Sequence, residues 1–581
     1  MMNWIENTDC CKWGGITCNH LTGDVIGIDL SCGMLRGTIH PNTTLFHLPH
    51  LQTLNLAFNK FSPSQLPREI GGLSKSLTLL NLSYSGLTVD IPWEILYLSK
   101  LVSLDLSSNY GLQIQPSVLK NLLRNFMHLR ELLLSEVDIS WVLPRYLNIS
   151  TSLKSLDLSY TDLQGKLPDN IFSLHYLEKL DMSNNDYITG PWPNVNKSNN
   201  IPLKWLDLSY TNLSGEIPKS VGHLKFLNNL RLNSCGLVGS IPKYLVNMRH
   251  LTTLDLSSNK LKGTLPSLLF TLPFIENINL YDLGNNRLNG TFPHWLGDLR
   301  YLQVLVLKSN KLHGPIETPS TTKNAFPSIV VLILSHNEFA GLLPQTYLQN
   351  FSAMKNTINS STTPRYLDMS GEYYSVTTSV KGAELQFLKL SVDYIIVDLS
   401  NNRLEGEIPN VIGSLTSLIV LDLSHNNLTG QIPSVLGNLS EIESLDLSWN
   451  QLTGEIPQAL ASLKFLEFLN LSQNHLTGHI PLGGQFNTFS TSFEGNPNLC
   501  GFPRLKKCEL PHEPQLQVEG DGDGDEDGKR GFTRRVVMLG FGCGTLIGLV
   551  MGYVMLSTGT PKWFNAIADD PNKRRYVYIG R

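Results

Sequence analysis

Apolar and polar residues along this chain alternate in one short phrase that returns again and again. In Leu203-Lys-Trp-Leu-Asp-Leu208, Leu251-Thr-Thr-Leu-Asp-Leu256, Leu418-Ile-Val-Leu-Asp-Leu423 and Ile442-Glu-Ser-Leu-Asp-Leu447 the phrase is followed by x-x-N-x-L-x-G-x-I-P. Alternation with period two is the signature of an extended strand. It predicts Leu206 and Leu208 facing inward and Trp205, Asp207 and Ser209 facing outward. Equivalent positions recur every 24 residues, from Thr211 to Cys235 to Asn259 and from Asn402 through Asn426 and Asn450 to Asn474. Roughly sixteen or seventeen such units fit between Val25 and Pro481, enough for a long solenoid in which each coil touches only its neighbours. Stacked strands then form a parallel sheet. Asparagines at the turn (Asn59, Asn109, Asn259, Asn310, Asn402, Asn426, Asn450 and Asn474) are placed to satisfy the backbone groups of adjacent coils, with Cys235 as a substitute. Gly-x-Ile-Pro, as at Gly215 to Pro218 and Gly430 to Pro433, ends the strand and turns the chain toward a short helical or extended segment.

Composition narrows the function. With 45 Lys+Arg against 49 Asp+Glu the net charge is −4, which argues against a nucleic-acid partner. Hydrophobic residues make up 41% and charged residues 16%, so there is material for a continuous core. The 15 histidines are scattered, and no H-E-x-x-H, G-x-S-x-G or paired-cysteine metal spacing occurs. Neither catalysis nor a cofactor is expected.

With its repeats, the chain resembles the plant leucine-rich-repeat receptor-like proteins, which carry a repeat ectodomain and one membrane span but no kinase. The resemblance implies an α/β repeat solenoid: a plant-type extracellular superhelix with a parallel sheet on its concave face, plus one transmembrane helix. Cys10-Cys11-Lys-Trp13-Gly-Gly-Ile-Thr-Cys18 is similar to the second half of the family's N-terminal cap, and Cys500 to Cys508 to its C-terminal cap. It implies pairing of Cys11 with Cys18 and of Cys500 with Cys508, leaving Cys10 without a partner. Cys32 and Cys235 are expected to remain buried thiols. The implied organisation is a partial cap at 1–24, repeats at 25–350, an island insertion at 351–393, four further repeats at 394–482, a C-terminal cap at 483–512, an acidic spacer at 513–535 and a tail at 557–581.

Val536 to Leu556 is an uncharged stretch matching a bilayer core of ~30 Å and is read as the span. Gly540, Gly544, Gly548 and Gly552 repeat every four residues on one face of that helix, allowing a partner helix to approach closely. The tail is far too short for a kinase domain, so a partner kinase is implied. N-x-S/T sequons at Asn42, Asn81, Asn148, Asn196, Asn212, Asn289, Asn350, Asn359, Asn427, Asn438 and Asn470 all precede the span, which favours an extracellular ectodomain and single-pass type I topology at the plasma membrane. No signal peptide precedes the cap, and the sequence is expected to be truncated at its N-terminus.

Aromatic residues mark the candidate ligand surface. Tyr84, Tyr160, Trp205, Tyr210 and Trp449 stand where most repeats carry small polar groups. In the island, Tyr373-Tyr374 and Lys381-Gly382 resemble a family motif for co-receptor recruitment. The expected function is a cell-surface receptor that binds an extracellular peptide or protein and signals through an adaptor kinase in the membrane and a co-receptor kinase outside it, in plant defence. A membrane-tethered inhibitor of microbial wall-degrading enzymes and a truncated, nonfunctional relic stay open as alternatives.

Overall fold

The computed structural model describes residues 4–508 apart from 6, 63, 150–151, 196–200, 267–279, 317–323, 356–375, 388–390, 392 and 504–507. An 18-stranded sheet runs the length of the solenoid. From Val25–Asp29 to Phe468–Asn470 its strands are parallel and pair in chain order, in unbroken register. Leucine fills the middle position of most strands, as in Leu180, Leu206, Leu230 and Leu254. The leucine ladder is fully enclosed, and its side chains belong to one continuous core.

Behind that sheet the residues that lead into Gly-x-Ile-Pro build a second, 10-stranded parallel sheet from Gly165–Lys166 to Asn427–Thr429. Short 3-10 helices follow it, such as Lys219–His223, Asn410–Ser414 and Gln458–Ser462. Each starts directly after a proline whose fixed φ suits a helix entry.

The turn asparagines do what their position requires. Asn109 Oδ1 accepts from Ser85 N and Leu87 N of the preceding coil, while its Nδ2 donates to Leu82 O, Leu106 O and Ser107 O. Asn185, Asn286, Asn337 and Asn496 belong to the same ladder, although the sequence reading passed over them. Cys235 takes the position with its thiol against Leu208 O and Thr211 Oγ1. Cys32 differs from expectation: it is exposed, with φ of 55°. It sits in the outward turn of its coil, the place Phe58 fills in the next, and not in the ladder.

At the N-terminal end, Ile16–Cys18 pairs antiparallel with Val25–Asp29 and so covers the first edge of the sheet. Cys11 is joined to Cys18, and Trp4 stacks on Trp13. At the other end Asn498–Cys500 adds a last parallel strand to His475–His479, and Cys500 is joined to Cys508.

The island interrupts the chain without interrupting the sheet. Val331–Ile333 pairs directly with Ile396–Asp398. The bond from Phe339 N to Asn402 Oδ1 bridges 63 residues, where the equivalent bond from Leu404 N to Asn426 Oδ1 bridges 22. The island contributes an antiparallel hairpin, Val376–Val380 with Ala383–Phe387. Tyr373, Tyr374, Asn196, Asn359, the expected span 536–556 with Gly540, Gly544, Gly548 and Gly552, and the tail lie outside the described residues. Among the described residues no helix is long and apolar enough to cross a membrane.

Candidate ligand-binding face

Two outward rows cover the concave sheet. One reads Lys179, Trp205, Asn229, Thr253 and the other Asp181, Asp207, Arg231, Asp255 along four consecutive strands. The recurring aspartate is a framework residue. Asp105, Asp157, Asp181, Asp207, Asp255, Asp398 and Asp446 each accept through Oδ1 from the backbone N–H and hydroxyl of the serine two positions on. This Asx turn orders the tight bend after the strand.

Stacked in register, these carboxylates raise one another's proton affinity. Burial, and then the charge of Asp282, pushes Asp255 up to about 8 against the pull of Ser257 and Arg231. Burial and the charges of Asp398 and Asp446 raise Asp422. Burial raises Asp446 despite its bonds to Ser448 and Asn470.

The residue that follows the serine is left-handed in coil after coil, and this is where most of the candidate aromatics lie. Tyr84, Tyr160, Tyr210 and Trp449 have φ of 49°, 53°, 52° and 53°. The conformation turns each side chain out at the rim where strands leave the sheet, and all four are exposed. Such a conformation costs a bulky residue roughly 1 kcal/mol, so the Asp-Ser turn, or at Tyr84 the Asn81-Ser83 turn, must hold it. Tyr84 stacks on Phe58 at 4.7 Å and 9°, and Trp449 on His425 at 5.5 Å and 18°. The Phe58–Tyr84 pair walls an open cleft with Met34, Arg36 and Lys60.

Trp205 departs from its four companions. It lies on the concave face itself and is only 5% exposed. Lys179 Nζ lies 5.4 Å from its ring centroid and Arg231 Cζ 4.8 Å. The two cations reach across from neighbouring strands and cover the indole, a geometry the ring quadrupole favours. Lys179 and Arg231 also approach Asp157 and Asp207 at 3.9 and 3.7 Å. Sequence reasoning missed Lys179, Asn229 and Arg231. The signal was present, because Arg231 replaces the framework aspartate. Further along, the outward positions Val304, Val306, Val331 and Ile333 turn apolar in the coils that adjoin the island.

The island hairpin is pinned to the last repeats at its tip. Lys381 Nζ donates to Glu443 at 3.1 Å and Glu467 at 2.5 Å, and Lys381 N donates to Ser444 Oγ. Burial lowers the lysine's proton affinity, but its bonds to Glu467 and then Glu443 outweigh that and leave it raised. Gly382, at φ +73°, lies so close to Phe468 that a Cβ would come within 2.9 Å of the ring. The turn therefore has no room for a side chain. We expect Gly382→Val to free the hairpin. Amide hydrogen exchange over 376–387 should accelerate roughly tenfold or more with little change in global melting. Lys381→Ala, which removes two partly exposed ion pairs, should give about threefold. Unchanged exchange in Gly382→Val would mean the tip is not anchored.

Of the sequon asparagines, Asn42, Asn148, Asn212, Asn289, Asn427 and Asn438 are exposed. Asn81 and Asn470 instead stand in the framework-aspartate row. Each accepts from the serine two residues on, and Asn470 Nδ2 donates to Asp446. Asn350 ends the helix Gln345–Asn350 and is half-buried.

Comparison with known proteins agrees with this geometry. Leucine-rich-repeat family models match residues 396–452, 152–174, 202–224, 250–272, 465–485 and 47–64. The chain is 41% identical to Receptor-like protein 6 of Arabidopsis thaliana over 34% of its own length and 20% of that protein. It is 50% identical to Receptor like protein 27 of the same plant over 47% of its length and 34% of that protein. The matched region thus spans about a fifth to a third of these relatives. Among solved structures, the Arabidopsis receptor kinase HAESA, in complex with the peptide hormone IDA and the co-receptor SERK1, superimposes with a TM-score of 0.57 at 26% identity, covering 86% of this chain and 95% of that one.

Proposed function

We propose, on the premise that this chain is a homologue of the plant leucine-rich-repeat receptor-like proteins, that it is a cell-surface receptor of an extracellular peptide or protein. The observation that carries this reading is the uninterrupted concave sheet, whose outward rows depart from the framework pattern at Trp205, Asn229 and Arg231. A repetitive scaffold needs none of those departures. HAESA, with the same fold, is seen bound to a peptide and a co-receptor.

In this reading the ligand lies on the concave face at Trp205 and along its aromatic rim, Tyr84, Tyr160, Tyr210 and Trp449. The anchored hairpin tip at Lys381-Gly382, with Tyr373, Tyr374 and the last repeats, offers a surface to a co-receptor kinase. The span 536–556 holds the chain in the plasma membrane as a type I protein, and its glycine face at Gly540, Gly544, Gly548 and Gly552 pairs with an adaptor kinase. The exposed sequons carry glycans, and the signal belongs to defence.

The test is to express the full chain behind a supplied signal peptide in plant cells and recover the receptor kinases that co-purify. The expected result is that Gly544→Leu with Gly548→Leu lowers adaptor recovery at least tenfold without changing surface level. Unchanged recovery would remove the membrane part of the reading. If exchanging 536–556 for an unrelated span and deleting 557–581 left all activity intact, the chain would be a tethered inhibitor and not a receptor.

A further inference from the structure

Two neighbouring side chains on the concave face, one a donor and one an acceptor, each bury a polar atom with nothing to bond. Trp205 Nε1 and Asn229 Oδ1 have no hydrogen-bond partner among the described residues, and their residues are 5% and 3% exposed. They are neighbours: Trp205 and Asn229 face each other in the register of adjacent parallel strands, about 5 Å apart across the sheet. One is a donor only and the other an acceptor. A protein normally leaves few such groups unsatisfied, because each forfeits its bonds to water. Nothing in the fold requires either group, since the coils on both sides carry Lys179 and Thr253 at the same place.

From this pair we infer a binding subsite for an amide group of an extended peptide, with the ligand C=O accepting from Trp205 Nε1 and a ligand N–H donating to Asn229 Oδ1. An extended main chain presents both functions along one edge. The arms of Lys179 and Arg231, resting on the indole, are long and flexible, and their rotation uncovers it. The uncovered site is neutral at its centre and flanked by cations already facing Asp157 and Asp207. It therefore suits an uncharged amide better than an ionised ligand group. This subsite rests on the peptide-receptor reading and gives it a residue-level address.

The experiment captures the full chain through a C-terminal tag and screens an array of random linear decapeptides. The best binders are then remade with a single N-methyl group at each amide in turn. For the unmodified protein, methylation at one amide should weaken binding about tenfold. Asn229→Leu should bind the parent peptide about tenfold more weakly and lose its sensitivity at that amide. Trp205→Phe, which keeps an aromatic ring but removes the donor, should show a similar loss. Asn229→Leu should melt no lower than the unmodified protein, because it removes an unpaired buried atom at similar volume. If no single methylation costs more than twofold, or if both variants bind like the unmodified protein, the subsite is wrong while the receptor reading stands. If no peptide binds the unmodified protein at all, both fall.

Discussion

Replacing Asn185 with leucine will cut the solenoid in two thermodynamically. Asn185 is buried between coils, accepting through Oδ1 from Leu163 N at 2.9 Å and Thr161 N at 3.2 Å. Its Nδ2 donates to Leu158 O, Met182 O and Ser183 O. Leucine matches its size but leaves two backbone donors and at least one carbonyl stranded in a dry interior, at ~1–3 kcal/mol each. The expected loss is on the order of 3–5 kcal/mol, concentrated at one coil-to-coil interface. Because each coil is held only by its neighbours, the denaturant transition should broaden or separate into two phases. Asn402, in the same role but only partly buried beside the island, should show a smaller loss on the same substitution. A single sharp transition within about 0.5 kcal/mol of the unmodified protein would show that the ladder does not couple the coils.

The second large effect is a fall in stability as pH rises. Asp255 titrates at about 8 in the fold against an ordinary value of 3.8, and Asp422 and Asp446 are raised in the same sense. The native state therefore holds protons that the unfolded chain has already lost. Stability from these groups is complete below about pH 4 and is lost as pH climbs through the folded values. Each proton so held is worth ~1.4 kcal/mol per pH unit, and the loss between pH 5 and 8 should be on the order of 3 kcal/mol. His425 works the other way, because burial lowers its proton affinity and it gains stability as pH rises through the usual histidine range. Asp255→Asn should flatten the profile, while His425→Gln should steepen it slightly. Thermal melts at pH 5 and 8 decide the matter, and a melting temperature that is level or higher at pH 8 would refute the carboxylate account.

The repeat itself was legible because its physics is local. Leu206 and Leu208 alternate with Trp205 and Asp207, and period two admits only one arrangement in a stacked strand. Ladder asparagines were legible for the same reason, although Asn185, Asn286 and Asn337 escaped where coil lengths drift. The rim aromatics were visible as exceptions to a small-polar rule. Their removal from the sheet to its edge was not, because it depends on a left-handed residue fixed by the Asp-Ser turn one step earlier. Trp205 showed as aromatic but not as covered, since its lids Lys179 and Arg231 lie a full coil away on either side. Cys32 was misplaced by the same kind of error: one turn position separates the inward ladder from the outward bend. The grip of Lys381 on Glu443 and Glu467, 62 and 86 residues away, has no sequence signature at all.

The register that survives the island also bears on how such a chain changes over generations. Where Phe339 finds Asn402 as readily as Leu404 finds Asn426, the fold is indifferent to what lies between two coils. Unequal crossing-over that adds or deletes a whole coil leaves every remaining coil with a compatible neighbour. The same event in a globular domain would tear a core built from distant segments. Length and rim chemistry can thus drift from copy to copy while each coil keeps its shape, and new recognition surfaces arise by shuffling units that already fold.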